Sequence, residues 1–151
     1  MKTGKAFTVT VLTAAALLGA AVPATAAALP TPASPAASGA AVLAVSPSIE
    51  PQVETSYKFD GQETDCSRGV LCLSVWDYTV GKWKVFHLIK CGSYNVSNWE
   101  GDGFWENHQT DGAQGRFYAG SNGTGTVLAT TKKPWTSGTA KWSPVNSVRP
   151  C

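Results

Sequence analysis

Between Ala6 and Ile49 the chain has no aspartate, glutamate, lysine or arginine, and the whole sequence holds only two histidines, His87 and His108, and one methionine, Met1. Each scarcity excludes something. With 12 basic and 10 acidic residues the formal net charge is +2, too little attraction for phosphate to make a nucleic-acid binder. Two histidines leave little material for acid–base work, which needs partners held within hydrogen-bond reach. A long hydrophobic run is missing too. The apolar stretch from Ala6 to Val22 is interrupted by Thr8, Thr10 and Thr13 and falls short of the roughly 20 residues that a membrane span prefers. At 151 residues the chain can build one core of ordinary size but not two.

What is present is unevenly placed. Sixteen alanines lie between Ala6 and Ala44 and only four after position 45, while all six tryptophans, Trp76, Trp83, Trp99, Trp105, Trp135 and Trp142, sit in the back half. The folded domain is therefore C-terminal. Lys2 and Lys5, the apolar stretch, Pro23 and the small triplet Ala24-Thr25-Ala26 make a three-part secretory signal over 1–26, with cleavage after Ala26. A secreted chain with no membrane span after cleavage is expected. Residues 27–57, with Pro30, Pro32, Pro35 and Pro47 among alanines and serines, read as a disordered Ala/Pro-rich linker or propeptide. The domain is expected over 58–151. Glu50 to Asp65 carries five acidic residues and one lysine, whereas Cys66 to Cys151 holds nine basic and five acidic ones. The acidic segment either lies on the domain by charge attraction or is a solvated leader, since salt screens such attraction.

All four cysteines, Cys66, Cys72, Cys91 and Cys151, fall in the domain, and an even count behind a signal sequence points to two disulfides. Zinc competes weakly, because the five-residue gap between Cys66 and Cys72 is too wide for the usual knuckle and no histidine pair completes the set. Of the three pairings, Cys66 with Cys72 and Cys91 with Cys151 is favoured. The first pair flanks the turn-forming Ser67-Arg68-Gly69, and the second ties down an otherwise frayed end. Closing the long loop removes about 4 kcal/mol of denatured-state entropy.

Apolar residues in the domain come in short runs, Val70 to Trp76, Lys84 to Ile89, Gly115 to Tyr118 and Thr126 to Thr131, separated by glycines. These read as strands and turns, hence an all-β fold. From Trp83 to Ile89 both alternating faces are partly apolar, which suits a sandwich strand. A repeat sharpens the picture. Trp76, Gly81, Val85 and Phe86 recur 42 residues later as Tyr118, Gly123, Val127 and Leu128. In each copy the aromatic ends a strand, the glycine makes the hairpin turn and the apolar pair starts the returning strand. Two such halves bury together what neither buries alone.

Three features then carry a family resemblance: the secretion signal, the Cys66-x5-Cys72 pair followed by Leu73-Ser-Val-Trp-Asp-Tyr-Thr-Val-Gly81, and Cys91-Gly-Ser-Tyr-Asn-Val-Ser-Asn-Trp99. Over Cys66 to Cys151 the chain resembles actinobacterial secreted proteins of peptidase inhibitor family I36. The resemblance implies a disulfide-stapled βγ-crystallin-like sandwich of two Greek-key motifs and inhibition of an extracellular proteinase. There are two departures. The C-terminal half lacks a second short disulfide loop of the kind that a metalloproteinase-inhibiting member presents to its enzyme. The paired Asn/Asp-x-x-Ser-Ser signature of calcium-binding βγ-crystallins is also missing, so no calcium or other cofactor is expected.

Few residues carry chemistry. His87 lies among apolar strand residues and reads as structural. His108, near Asp102, Glu106 and Asp111, is the one cluster from which a hydrolytic site could be built, but its spacing matches no catalytic motif, and a non-enzyme is expected. Asn95-x-Ser97 and Asn122-x-Thr124 mark exposed turns. From Tyr94 to Trp105, aromatics alternate with amides and acids, as on surfaces that bind sugars and proteins. There Trp99 and Phe104 are expected in the core, with Trp105 more open. Two functions remain. A proteinase inhibitor would present the loop Ser67 to Leu71, with Arg68 as its contact. A non-catalytic binding module would hold cell-wall glycan or another extracellular partner, with Trp105 as the candidate contact.

Overall fold

The computed structural model describes residues 43–151; the expected signal segment 1–26 and residues 27–42 of the expected linker lie outside the described residues. Ten strands follow one another: β1 (Ser48–Glu50), β2 (Glu54–Lys58), β3 (Leu71–Asp77), β4 (Lys82–Leu88), β5 (Tyr94–Ser97), β6 (Asp102–Asn107), β7 (Arg116–Tyr118), β8 (Val127–Thr130), β9 (Thr136–Lys141) and β10 (Ser147–Arg149). The one helical element among the described residues is a 3-10 turn at Ser121–Gly123. The fold is all-β.

The strands form two antiparallel five-stranded sheets, one in the order β1-β5-β10-β7-β8 and the other β2-β4-β3-β6-β9. The repeated hairpin signal has a structural counterpart. β3 and β4 form a hairpin in the second sheet, β5 crosses to the first, and β6 returns beside β3; β7 and β8 form a hairpin in the first sheet, β9 crosses to the second, and β10 returns beside β7. Gly81 and Gly123 occupy the two hairpin connections at φ of 64° and 71°, where a Cβ is disfavoured. The copies differ in what their returning strands bury. Val85 and Phe86 are buried, whereas Val127 and Leu128 are exposed on the edge strand β8.

The main core lies between the sheets. Strand alternation puts Leu71, Leu73 and Val75 of β3 and Phe86 and Leu88 of β4 against Tyr94, Val96, Phe117 and Val148 of the opposite sheet, with Trp99 and Trp142 wedged between. Residues of opposite parity, Cys72 on β3 and Val85 on β4, meet Cys66 and Val70 in a second small cluster on the outer face of the second sheet. The segment between β2 and β3 thus packs across that face, which is why β4 needs apolar residues on both sides.

Both disulfides pair as the spacing suggested, Cys66 with Cys72 and Cys91 with Cys151. The expected domain boundary needs correction. Strand β1 and all of β2 except Lys58 lie inside 27–57, so the folded domain begins before residue 58. Ile49 is buried in the core, the Trp99 indole donates to the Ser48 carbonyl at 2.9 Å, and β2 pairs along its full length with β4. The segment 50–65 also lies on the domain, through strand pairing and hydrogen bonds; among the described residues its carboxylates form no ion pair. Composition hid these strands because each is short and mostly polar. The stretch Tyr94 to Trp105 is largely strand, in β5 and β6.

A buried carboxylate clasps this N-terminal segment to the β3–β4 hairpin. Asp77 is fully buried and accepts from the Ser46 hydroxyl at 2.6 Å, the Tyr57 hydroxyl at 2.9 Å, and the Thr79 hydroxyl and amide at 2.6 and 2.9 Å. Burial by itself pushes its pKa up, but the donors from Ser46, Thr79 and Tyr57 outweigh it and hold the carboxyl below the usual carboxylate value. Tyr57 is pushed up, first by burial and then by its bond to Asp77.

Two outcomes follow. A chain starting at residue 58 loses Ile49 from the core and two donors from Asp77, so it should be less stable than one starting at 43 by at least about 3 kcal/mol in urea unfolding; equal stabilities would contradict the clasp. A carboxyl with a depressed folded-state pKa adds stability at neutral pH that is lost as pH falls through the acid range. Asp77→Asn should lower stability near neutrality and flatten that acid loss, measured by urea midpoints from about pH 7 to about pH 3.

Candidate functional site

Three loops meet at one end of the second sheet. The first is the turn between Cys66 and Cys72. The disulfide closes it, Val70 N donates to the Ser67 carbonyl at 3.3 Å, and Gly69 sits at φ 88°. The second loop begins at His108, whose backbone clamps the first: Gly69 N donates to the His108 carbonyl at 2.7 Å and His108 N to the Val70 carbonyl at 2.9 Å. The His108 ring adds a third tie. Its Nδ1 lies 2.5 Å from the Cys66 carbonyl, and because a carbonyl can only accept, Nδ1 carries the hydrogen. Nε2 faces Glu106 Oε2 at 3.9 Å.

The third loop, between β8 and β9, brings Trp135 over the same histidine. The rings stack 5.0 Å apart and 31° from parallel. Trp135 is 60% exposed and has a φ of 63°, a left-handed backbone rarely adopted by a bulky residue. Its amide donates to the Asn107 carbonyl at 2.6 Å. Asn107 is the hidden fastener: fully buried at the end of β6, it donates to the Ala113 and Lys132 carbonyls, both at 2.9 Å, and accepts from Gln109 N at 3.1 Å. Every hydrogen-bonding group of this amide serves to hold two loops to the strand.

Arg68 is exposed beside Gly69 on this clamped turn. Trp105 is not open. It is 6% exposed, its indole donates to the Thr139 carbonyl at 3.2 Å, and it packs so closely over Gly138 that no Cβ could be added there. Strand parity is the reason. In β6 the residues Gly103, Trp105 and Asn107 point inward, while Asp102, Phe104 and Glu106 point outward. Phe104, expected in the core, is accordingly 40% exposed. Trp99 is buried, as anticipated.

The acid cluster around His108 does not assemble. Asp102 lies at the other end of β6, about 20 Å away at strand rise, and Asp111 is bonded to the neighbouring Thr110 hydroxyl at 3.1 Å. His87 bonds Ser56 Oγ through Nε2 at 2.9 Å and lies with Nδ1 3.6 Å from Cys72 Sγ, a packing role beside the staple. Sequence reasoning missed His108 as an anchor, Asn107 as the fastener and Trp135 as an exposed ring. Only Trp135 left a signal, in the exposed-loop composition of Lys132-Lys133-Pro134 before it.

No family model, curated protein or solved structure matches the chain. The resemblance to family I36 therefore rests on the sequence motifs alone.

The clamp predicts a specific pattern of amide protection. In hydrogen exchange the Gly69 and His108 amides should be slowed strongly while Arg68 exchanges freely, and reduction of Cys66-Cys72 should release Gly69. Fast exchange at Gly69 in the oxidised protein would contradict a rigid turn.

Proposed function

We propose that the chain is a secreted, non-catalytic binding protein of βγ-crystallin-like build that inhibits an extracellular proteinase by docking the turn from Ser67 to Leu71. Two units, each with a hairpin, a crossing strand and a returning strand, support a pair of Greek keys. Two disulfides, and no helix among the described residues long and apolar enough to cross a membrane, are consistent with secretion.

The observation that carries the inhibitor reading is the threefold tie of the 66–70 turn to His108 beside an exposed arginine. A loop already fixed in its bound shape loses little entropy on docking, which is how small rigid inhibitors reach high affinity. Arginine at the centre of such a contact is a typical energetic anchor. Its fixed fork of donors suits a carboxylate on the partner.

The test is inhibition of a panel of metallo-, serine and cysteine proteinases by the purified protein. Against the susceptible member, Arg68→Ala should cost about 2 kcal/mol, roughly thirtyfold in affinity, with the melting temperature unchanged. Inhibition of none of the panel, or full retention by Arg68→Ala, would overturn this reading.

A further inference from the structure

The outer face of the second sheet holds a cleft of about 570 Å³ between the strands and the segment that follows β2, within the size range of small-ligand sites. We propose that this cleft binds a saccharide built of hexosamine units with free, protonated amino groups, independently of the Ser67 to Leu71 turn.

The floor is aromatic. Trp83 on β4 and Phe104 on β6 meet edge to face with centroids 5.0 Å apart, and Trp76 braces Trp83 from behind at 5.1 Å. The Trp83 indole is fixed by donating to Asp60 Oδ1 at 2.9 Å, so the ring is held in place before any ligand arrives. Phe104 is 40% exposed. A pyranose ring has an apolar face of C–H groups that such a surface covers, and pre-set rings lose little entropy on binding.

The rim is polar in a way that suits a polyol. Ser137 and Thr139 project their hydroxyls from β9, and Lys58 and Gln62 come from the opposite wall. Gln62 Oε1 is engaged by Phe59 N at 2.7 Å, so its NH2 is the part left to donate. Donors and acceptors therefore flank the rings together. A lysine or arginine side chain would use acceptors only; sugar hydroxyls use both.

Charge then selects among sugars. Asp60, Glu63 and Glu106 line the cleft against one cation, Lys58, and Lys58 Nζ is already bonded to the Gln62 carbonyl at 2.9 Å, with the Phe104 ring 6.0 Å away. His108 faces Glu106 from the turn side at 3.9 Å. The surplus of carboxylates attracts an amine-bearing sugar and gives a neutral or N-acetylated one no charge gain.

The experiment titrates the full secreted chain with short β-1,4-linked glucosamine oligomers, their N-acetylated counterparts, cello-oligosaccharides and oligolysine, read by calorimetry and tryptophan fluorescence. Glucosamine oligomers should bind, perturb the tryptophan emission and weaken with added salt. Phe104→Ala should reduce affinity about three- to tenfold. Because Phe104 also braces Trp83, Thr139→Lys on the exposed edge strand serves as a second variant, halving the local surplus of negative charge, placing a cation beside the ligand amine and weakening the amine ligand by a similar factor while the melting temperature stays put. Glu63→Gln with Glu106→Gln should erase the preference for free amines over N-acetyl groups. Arg68→Ala should leave saccharide binding unchanged. The proposal is overturned if no saccharide binds, if neutral or acetylated oligomers bind as tightly as the amines, if oligolysine matches the sugar, or if folded Thr139→Lys binds like the parent.

Discussion

The indole of Trp142 is the contact on which the other features rest. It is fully buried between the sheets, donates through Nε1 to the Ser74 carbonyl at 2.9 Å, and meets Trp99 and Phe117 edge to face at 5.1 Å each. Ser74 lies in the middle of β3, the central strand of the second sheet, and Phe117 lies on β7 of the first. One side chain therefore bridges both layers. Its demands reach into neighbouring strands: a Cβ at Gly103 would collide with the indole and with the Ser74 carbonyl, so β6 must have glycine there. That fixed inward Gly103 sets the parity of β6, and with it the inward Trp105 and the outward Phe104.

The outer face of the second sheet is useful because its inner face is locked in this way. A strand apolar on one side only would present a polar face to water, but β3 and β4 are two-sided, and the chain between β2 and β3 folds back to cover the outer apolar patch. The Cys66-Cys72 staple pins that return. The pinned segment in turn produces both surface features: a tied turn at one end of the sheet, and a cleft where the segment stands away from Phe104. Edge strands flank this platform. β9 offers serine and threonine outward rather than apolar side chains, and its last residue, Lys141, puts a charge on the open edge.

Much of this was legible in the residues, and the remainder was hidden for identifiable reasons. The hairpins from Leu71 to Leu88 and from Arg116 to Thr130 showed as apolar runs around a glycine, and the disulfide pairs showed as an even cysteine count with one short spacing. Thr136 to Lys141 did not, since the run Thr-Ser-Gly-Thr-Ala-Lys has no hydrophobic alternation and becomes strand only because β6 offers a partner edge. β1 and β10, with three residues each, carry too little pattern to detect. The exchange of roles between Phe104 and Trp105 has a sharper cause. A one-residue change in register turns every side chain of a strand to the other face, and nothing local to Phe104-Trp105 says which ring faces the core. The information sits far away, in Trp142 and Gly103. The clamp at His108 was hidden for the same reason: its partners, Cys66 and Gly69, lie about forty residues earlier in the chain.

The central claim is that the two sheets form one cooperative unit through Trp142, so that turn and cleft stand on a rigid platform. Equilibrium urea unfolding of Trp142→Phe tests it most directly, because the ring volume is largely kept while the bond to Ser74 is lost. The account predicts a single transition for parent and variant, with the variant less stable by about 2 to 4 kcal/mol from the orphaned Ser74 carbonyl and the space left by the smaller ring. A loss below about 1 kcal/mol, or separate unfolding of the two sheets in the parent, would contradict it.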